Sequence, residues 1–481
     1  MKILYILSFE ENSGGGEGQI SYELAENMAK RQQVSIISPG KTNKIQEAST
    51  GYTKCTVKST MGPDSFYYIP VFSKHNLDFI LEFIDNFSPD IIHSQTPVGI
   101  GLVAQIWAIN NNIPFIYTAH ILPTKALSFG IPLDTKRFEF VYDMFNKWVT
   151  DKYLENFYRH CTNVIALNQT ALHDIQEFGY TGETAIIPNG RNLDLYDGCR
   201  ISDMAAKEKQ LVFIGNLNVR KNQAYLIEVT NLLPKNYKLH LVGKPYTKAF
   251  EKKLQTFVDD DHKENVIFHG GVKHEQIPGI LEQSHLFVSA SKTEVQSLVI
   301  IESLASGTPI VGLSNETVDE FVDENVGFRF PKDASPKEFA QKIEEICNLD
   351  QESYNRLCAT AKERVQHLDW PNVIDQIENL YFKYLGKTVP YDQKDAQSFT
   401  EGLINLIPSK RIQENLKKSL EDLGIASTSK KEIGISKAMQ KVPQNTKHML
   451  LITALISLVI FGAWKLTTIG KNKKTSRASN K

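Results

Sequence analysis

Apolar residues arrive along this chain in two alternating patterns: short unbroken runs, and longer stretches with helical spacing. Residues 2–8, 33–38, 90–93, 114–119, 164–167 and 185–187 are short apolar runs, as expected of strands covered on both faces. Between them, residues 19–30 and about 98–110 repeat their apolar positions every three to four residues, which predicts helices. The alternation restarts after Asn192, with predicted strands at 210–214, 238–242, 265–268, 286–288 and 309–312 and helices between them. Strands joined by helical crossovers build parallel sheets. The expected fold is therefore α/β, with two Rossmann-like domains facing each other across a cleft. Ligand should sit at the carboxyl ends of the strands. The predicted boundaries are residues 1–190 with a returning helix at 370–386, and residues 191–369.

The pattern then changes. Residues 388–448 are rich in Lys, Gln and Ser, with weak amphipathic stretches at 399–406 and 411–423, and read as a stalk. Met449 to Trp464 carries no charge, and a weaker apolar pattern continues to Ile469. As a helix, 449–469 is about 31 Å long, close to a hydrocarbon core of roughly 30 Å. It is predicted to be a single membrane helix, followed by a basic tail at 470–481; a buried core helix is the duller alternative. The opening residues, Met-Lys-Ile-Leu-Tyr-Ile-Leu, are a shorter apolar run closed by Glu10 and Glu11 and fit a first strand better than a signal peptide.

A length of 481 residues suits two large domains plus extras. The net charge of −1 gives bulk charge no part in binding nucleic acid. The five cysteines lie far apart with no CxxC pair, so neither a disulfide frame nor a zinc site is expected.

The chemistry gathers in a few stretches. Ser13-Gly-Gly-Gly-Glu-Gly follows the first strand and opens a helix. Glycines there let a phosphate or sugar approach a helix N-terminus, or form a plain turn. Tyr117-Thr-Ala-His120 ends a predicted strand, where His120 either touches substrate or caps the next loop; His93 is a weaker case of the same kind. Phe213-Ile-Gly-Asn-Leu-Asn-Val-Arg-Lys-Asn places Lys221 after a glycine turn, where a cation could neutralise a diphosphate or simply be solvated. Ser291 to Glu302 feeds a strand through a small-residue loop into a helix and carries Glu294 and Glu302, two carboxylates able to accept from sugar hydroxyls. Asp259-Asp-Asp-His is an acidic group in the context of a solvated loop, and no cluster has metal-ligand spacing. Residues 136–159 interleave aromatic residues with Lys and Arg, as a membrane-interface helix does, though many of these aromatics belong in a core.

Taken in order, residues 1 to about 385 resemble glycosyltransferase family 4, the retaining nucleotide-sugar enzymes of GT-B fold. The matching pieces are Gly15-Gly16 before Tyr-Glu-Leu-Ala, Tyr-Thr-Ala-His120, Ile-Pro-Asn189-Gly, Gly215-x-Leu-x-x-x-Lys221-Asn, Val242-Gly243, the Glu294/Glu302 pair with Ser-Leu-Ala-Ser-Gly-Thr-Pro-Ile-Val, and Leu368-Asp-Trp-Pro-Asn-Val. Thr293-Glu-Val-Gln is similar to the Thr-Glu-Thr-Gln-Gly of diacylglycerol glycosyltransferases. The resemblance implies catalytic roles for His120, Lys221 and Glu294. It implies donor contacts at Gly15, Gly16, Asn216, Arg220, Lys221, Gly243, Glu294, Ser297, Leu298 and Glu302, with Glu302 on the ribose. It implies no metal or other cofactor. Asn216 stands where the family usually has Arg, with Arg220 as a possible substitute, and Val295-Gln-Ser replaces the commoner Pro-Phe-Gly. The expected activity is hexose transfer from a nucleoside-diphosphate sugar, such as a UDP-sugar, to a membrane lipid acceptor such as diacylglycerol. The enzyme would be anchored in the lipid bilayer by its C-terminus, with catalytic domains in the cytoplasm. The alternatives are a polysaccharide or soluble acceptor, or a non-catalytic sugar-nucleotide-binding protein.

Overall fold

A computed structural model describes residues 1–11, 13–61, 68–70, 73–125, 154–199 and 201–386. The predicted stalk, membrane helix and basic tail lie outside the described residues, as does most of the aromatic stretch at 136–159. Among the described residues no helix is long and apolar enough to cross a membrane. The chain divides into two units. The first holds Met1–Ala166, Leu172–Ala185 and the end of the last helix from Glu378; the second holds Leu167–Ala171 and Ile186–Ile377.

The first unit is built on one sheet. Its strands are β1 (Lys2–Ile6), β2 (Gln33–Gly40), β3 (Lys44–Glu47), β4 (Thr53–Met61), β5 (Tyr68–Pro70), β6 (Ile91–Ser94), β7 (Phe115–Ala119), β8 (Asn163–Ala166) and β9 (Thr184–Ile186). The order is β3-β4-β2-β1-β6-β7-β8-β9, with β5 paired to β4. From β4 to β8 the pairings are parallel. The apolar runs predicted as strands form the middle of this sheet because both of their faces are covered. The β3–β4–β5 edge, antiparallel to itself, has no counterpart among the predicted strands. In β4 the buried Cys55 and Val57 alternate with polar residues, a weaker signal than an unbroken run. The last helix, Trp370–Tyr384, ends against this sheet. Tyr381 Oη meets Tyr5 Oη at 2.8 Å and His93 Nδ1 at 2.7 Å, and Asn163 Nδ2 donates to Tyr384 Oη at 3.1 Å. His93, with Nε2 2.7 Å from Thr118 Oγ1, is thus a core histidine; burial pushes its pKa down to about 3.

The second unit has a six-stranded, wholly parallel sheet: β10 (Lys209–Ile214), β11 (Tyr237–Val242), β12 (Val266–Gly270), β13 (Leu286–Ser289), β14 (Ile310–Leu313) and β15 (Gly327–Phe330). The order β12-β11-β10-β13-β14-β15 is the 3-2-1-4-5-6 arrangement of a Rossmann fold. Alternation along β10 sends Leu211 and Phe213 into one apolar layer and Val212 and Ile214 into the other, so the sheet is covered on both faces. β15, Gly-Phe-Arg-Phe, goes unpredicted because its one charge breaks a very short run. In such a sheet the crevice opens where the strand order reverses, here between β10 and β13. In the first sheet the same reversal lies between β1 and β6.

Candidate functional site

In the second unit the chain leaves β10 through Gly215 and β11 through Gly243. Gly215 N–H donates to Val242 O and Gly243 N–H to Gly270 O, each at 2.8 Å, which ties these turns to their neighbours. Gly243 has φ 148°, and a Cβ on it would lie 2.0 Å from Gly215 O, so the two backbones approach more closely than any side chain allows. Asn216 is exposed, and its carbonyl accepts from Gln223 Nε2 at 3.1 Å. Asn218 then caps the 3₁₀ turn Val219–Lys221 by accepting Lys221 N–H at 3.0 Å.

That turn sends two cations to one carboxylate. Lys221 Nζ donates to Glu294 Oε1. Arg220 Nη1 donates to Glu294 Oε2 at 3.1 Å and to Thr293 O at 2.8 Å. Burial alone would raise the Glu294 pKa, but Lys221 and Arg220 reverse this and hold it below the usual carboxylate range. Arg220 and Lys221 therefore act on the same point.

The loop bearing Glu294 is pinned along its length. Glu294 N–H donates to Glu316 Oε2 at 2.7 Å, and Thr293 Oγ1 donates to the same carboxylate at 3.0 Å. Val295 O accepts from Asn168 Nδ2 at 2.8 Å, Gln296 Oε1 accepts Asn189 N–H at 2.8 Å, and Ser297 N–H donates to Thr317 Oγ1 at 2.9 Å. Gln296, one of the departures from the family pattern, thus fastens this loop to the Asn189 turn. Ser297 occupies the N-cap position of the helix Leu298–Ser306, with no side-chain capping hydrogen bond.

Glu302 lies inside that helix, 1% exposed, in a cluster of its own. Arg191 Nε donates to Glu302 Oε1 at 2.7 Å and Arg191 Nη2 to the same atom, while His274 Nε2 lies 3.1 Å away from it. Burial again favours the neutral acid, and Arg191 with His274 overrides it, so the Glu302 pKa is lowered. Glu302 Oε2 is buried without a partner among the described residues, an acceptor still available to a hydroxyl. Arg191, His274 and Glu316 were not singled out from the sequence. Arg191 sits in Asn189-Gly-Arg-Asn, which reads only as a turn, and nothing local to residue 274 or 316 marks it.

In the first unit, Gly14 takes φ 78° ahead of the helix Gly15–Ala29, and a Cβ there would lie 2.1 Å from the Phe9 ring. Gly15 and Gly16 are exposed in the first turn, where helix amides lack intrahelical acceptors. Ser8 Oγ donates to Glu17 Oε1 at 2.6 Å, and burial pushes the Glu17 pKa up to about 7. His120, just past β7, has Nε2 2.6 Å from Gln95 Oε1, and burial lowers its pKa to about 4. Its place at the carboxyl end of the strand is the expected one; nothing local in the sequence marks Gln95. The Asp259-Asp-Asp-His stretch forms the 3₁₀ turn Asp260–His262 with Asp259 at its N-cap; its acids are exposed, and Asp260 pairs with Lys263 at 2.6 Å. Among the described residues no group of three or more His, Cys, Asp or Glu is placed to hold a metal ion.

Residues 14–195 match the family model "Glycosyltransferase Family 4" and residues 200–364 match "Glycosyl transferases group 1". An alpha-monoglucosyldiacylglycerol synthase of Streptococcus pneumoniae is 26% identical over 267 residues, 51% of this chain and 56% of that protein. One of the same name from Acholeplasma laidlawii is 23% identical over 249 residues, 49% of this chain and 61% of that protein. A sulfoquinovosyl transferase of Arabidopsis thaliana is 22% identical over 316 residues, 62% of this chain and 58% of that protein. The matches thus span between 56% and 61% of these curated relatives. Among solved structures, sucrose-phosphate synthase of Thermosynechococcus elongatus aligns with a TM-score of 0.64 at 21% identity, covering 80% of this chain and 98% of that one. Anabaena HepE in complex with UDP and glucose aligns with a TM-score of 0.59 at 19% identity, covering 80% and 100%. Two Rossmann-like units, two adjoining domain matches and this fold likeness agree: the chain belongs to the glycosyltransferases of GT-B fold, with a family 4 domain followed by a group 1 domain.

Proposed function

We propose that this chain transfers a hexose from a nucleoside-diphosphate sugar, a UDP-sugar in the first instance, to the hydroxyl of a membrane lipid such as diacylglycerol, with retention at the anomeric carbon. The observation that carries the reading is the meeting of Arg220 and Lys221 on Glu294 beside the β10–β13 reversal. Two cations at this point suit a diphosphate, whose negative charge grows as the sugar leaves. Arg220 supplies the second charge that Asn216 does not. Glu294 lies within reach of the same chemistry and orients the sugar through its hydroxyls. Glu302 Oε2 accepts from the ribose. The bond from the anomeric carbon to the leaving phosphate oxygen breaks as the acceptor oxygen bonds to that carbon on the same face. The acceptor proton passes to the leaving phosphate. No metal is required in this scheme, because Arg220, Lys221 and backbone amides carry the neutralisation.

The relatives named for diacylglycerol support a lipid acceptor. The uncharged run from Met449 supports a C-terminal anchor, with the catalytic units on the cytoplasmic side where nucleotide sugars are found. The test mixes purified protein with a panel of labelled nucleotide sugars and lipid extract and identifies the product by mass spectrometry. Label in a glycolipid is the expected result. Label in a soluble saccharide would replace the lipid acceptor with a soluble one, and donor binding without transfer or donor hydrolysis would leave a binding protein.

A further inference from the structure

Gln95 lies at the carboxyl end of β6, beside the strand reversal of the first sheet, and is 2% exposed. Its backbone is fixed at both ends, its N–H donating to Ile6 O at 2.8 Å and its carbonyl accepting from Ser8 Oγ at 3.2 Å. Its side-chain oxygen meets His120 Nε2 at 2.6 Å. Its side-chain nitrogen is buried without a partner among the described residues, a costly arrangement for an amide unless a ligand completes it.

We propose that Gln95 is the positioning residue of His120, fixing the imidazole with its proton on Nε2 and its lone pair on Nδ1, and that the Gln95 amide nitrogen donates to a hydroxyl of the same substrate. A neutral imidazole has one donor and one acceptor nitrogen, and the partner of one decides the role of the other. The carbonyl oxygen of Gln95 can only accept, so Nε2 donates and Nδ1 accepts. The pair then offers an acceptor at His120 Nδ1 and a donor at Gln95 Nε2, which suits two hydroxyls of one sugar. Among the described residues, the titratable groups near His120 are His93 on β6, which is coupled to it electrostatically and already bonded to Tyr381 and Thr118, and Glu17, reached from Gln95 through Ser8. The low pKa of His120 keeps it neutral in the physiological range.

The inference rests on His120 acting in the proposed transfer, so His120→Ala is measured first in the full-length protein, with a labelled UDP-sugar and lipid extract. If that variant keeps normal turnover, the reading of His120 fails, and this inference with it. If it loses activity, Gln95 is tested by Gln95→Ala and Gln95→Glu. Gln95→Ala should lower kcat at least tenfold with the circular dichroism spectrum and thermal midpoint little changed. Gln95→Glu keeps an acceptor beside Nε2 and adds a charge, so it should raise the His120 pKa and move the acid limb of the pH–rate profile up by one unit or more. A merely structural role would not move that limb. Gln95 variants with normal kcat and an unshifted profile, in an enzyme that needs His120, would overturn the inference.

Discussion

Lys221 offers the most direct test at the scale of a single residue. It shares Glu294 with Arg220 and sits on a half-buried turn outside the apolar core, its side chain 12% exposed. Lys221→Ala should lower turnover at least about a hundredfold while leaving the fold intact, as steady-state kinetics on the purified variant would show. Arg191 behaves differently. It is among the largest fully buried side chains, and its charge is met by Glu302. Removing either partner alone strands a buried charge, at a cost of about 3–5 kcal/mol. Urea titration should show that loss for Glu302→Ala, whereas the double change Arg191→Met, Glu302→Leu should recover much of it and still bind no donor. Recovery of donor binding in the double variant would remove Glu302 from the ribose. Acid should act on the same groups. Glu294 and Glu302 have lowered pKa values, so the unfolded chain takes up their protons first. Their stabilisation is complete above the ordinary glutamate value of about 4.3 and is lost as pH falls through the folded values. His93 and His120, lowered to about 3 and about 4, make stability fall earlier, from about pH 6.5 downward. Glu17 and Glu320, raised to about 7, act the other way between about pH 7 and 4.3, so denaturant midpoints should change little down to about pH 4.5 and fall below it, and Glu302→Gln should reduce that fall.

Turns and strand ends carry the site at the scale of elements. The β10 and β11 turns are stitched together through Gly215 and Gly243, and a methyl group at Gly243 would collide with backbone rather than with a flexible side chain. Gly243→Ala should therefore displace the Gly215 turn and with it the Val219–Lys221 segment. The expected outcome is a fall in donor affinity measured by calorimetry, larger than the fall in thermal midpoint. An unchanged affinity would mean the turns are not coupled. Which elements were legible follows from how they are covered. The middle strands of both sheets are apolar on both faces and announce themselves. Within the β3–β4–β5 edge, β4 carries Lys54, Thr56, Lys58 and Thr60 on one face and does not, because a strand near the edge needs only half a core. The helix at the glycine run begins at Gly15, four residues before the predicted 19, because Gly14 supplies the left-handed cap that lets glycines enter a first turn.

The proposed membrane anchor acts at the scale of the whole molecule. A chain truncated after Lys387 retains every described residue and both sheets, so it should fold and bind donor. It should also leave the membrane fraction, since the proposed anchor from Met449 would supply most of the insertion energy. Activity on vesicles should fall more than activity on detergent-dispersed lipid, because an anchor raises the local concentration of enzyme at the surface. Continued tight membrane association of the truncated chain would shift that role to residues 136–159.

The sequence by itself determined the two α/β series, the placing of Lys221 and His120 at strand ends, and the two carboxylates of the Ser291–Glu302 stretch. All of these are local: an apolar run, a glycine turn and a helix start each write themselves into a few neighbouring residues. Only the tertiary structure decided the partners. Arg191 lies 111 residues from Glu302, Glu316 lies 22 from Glu294, and Gln95 lies 25 from His120. A side chain's partner across such a separation depends on strand order and on which neighbour a parallel sheet brings alongside. Glu302 shows the difference most plainly: its carboxylate was visible in the sequence, while the guanidinium that keeps it charged in a buried position was hidden in what reads as a turn.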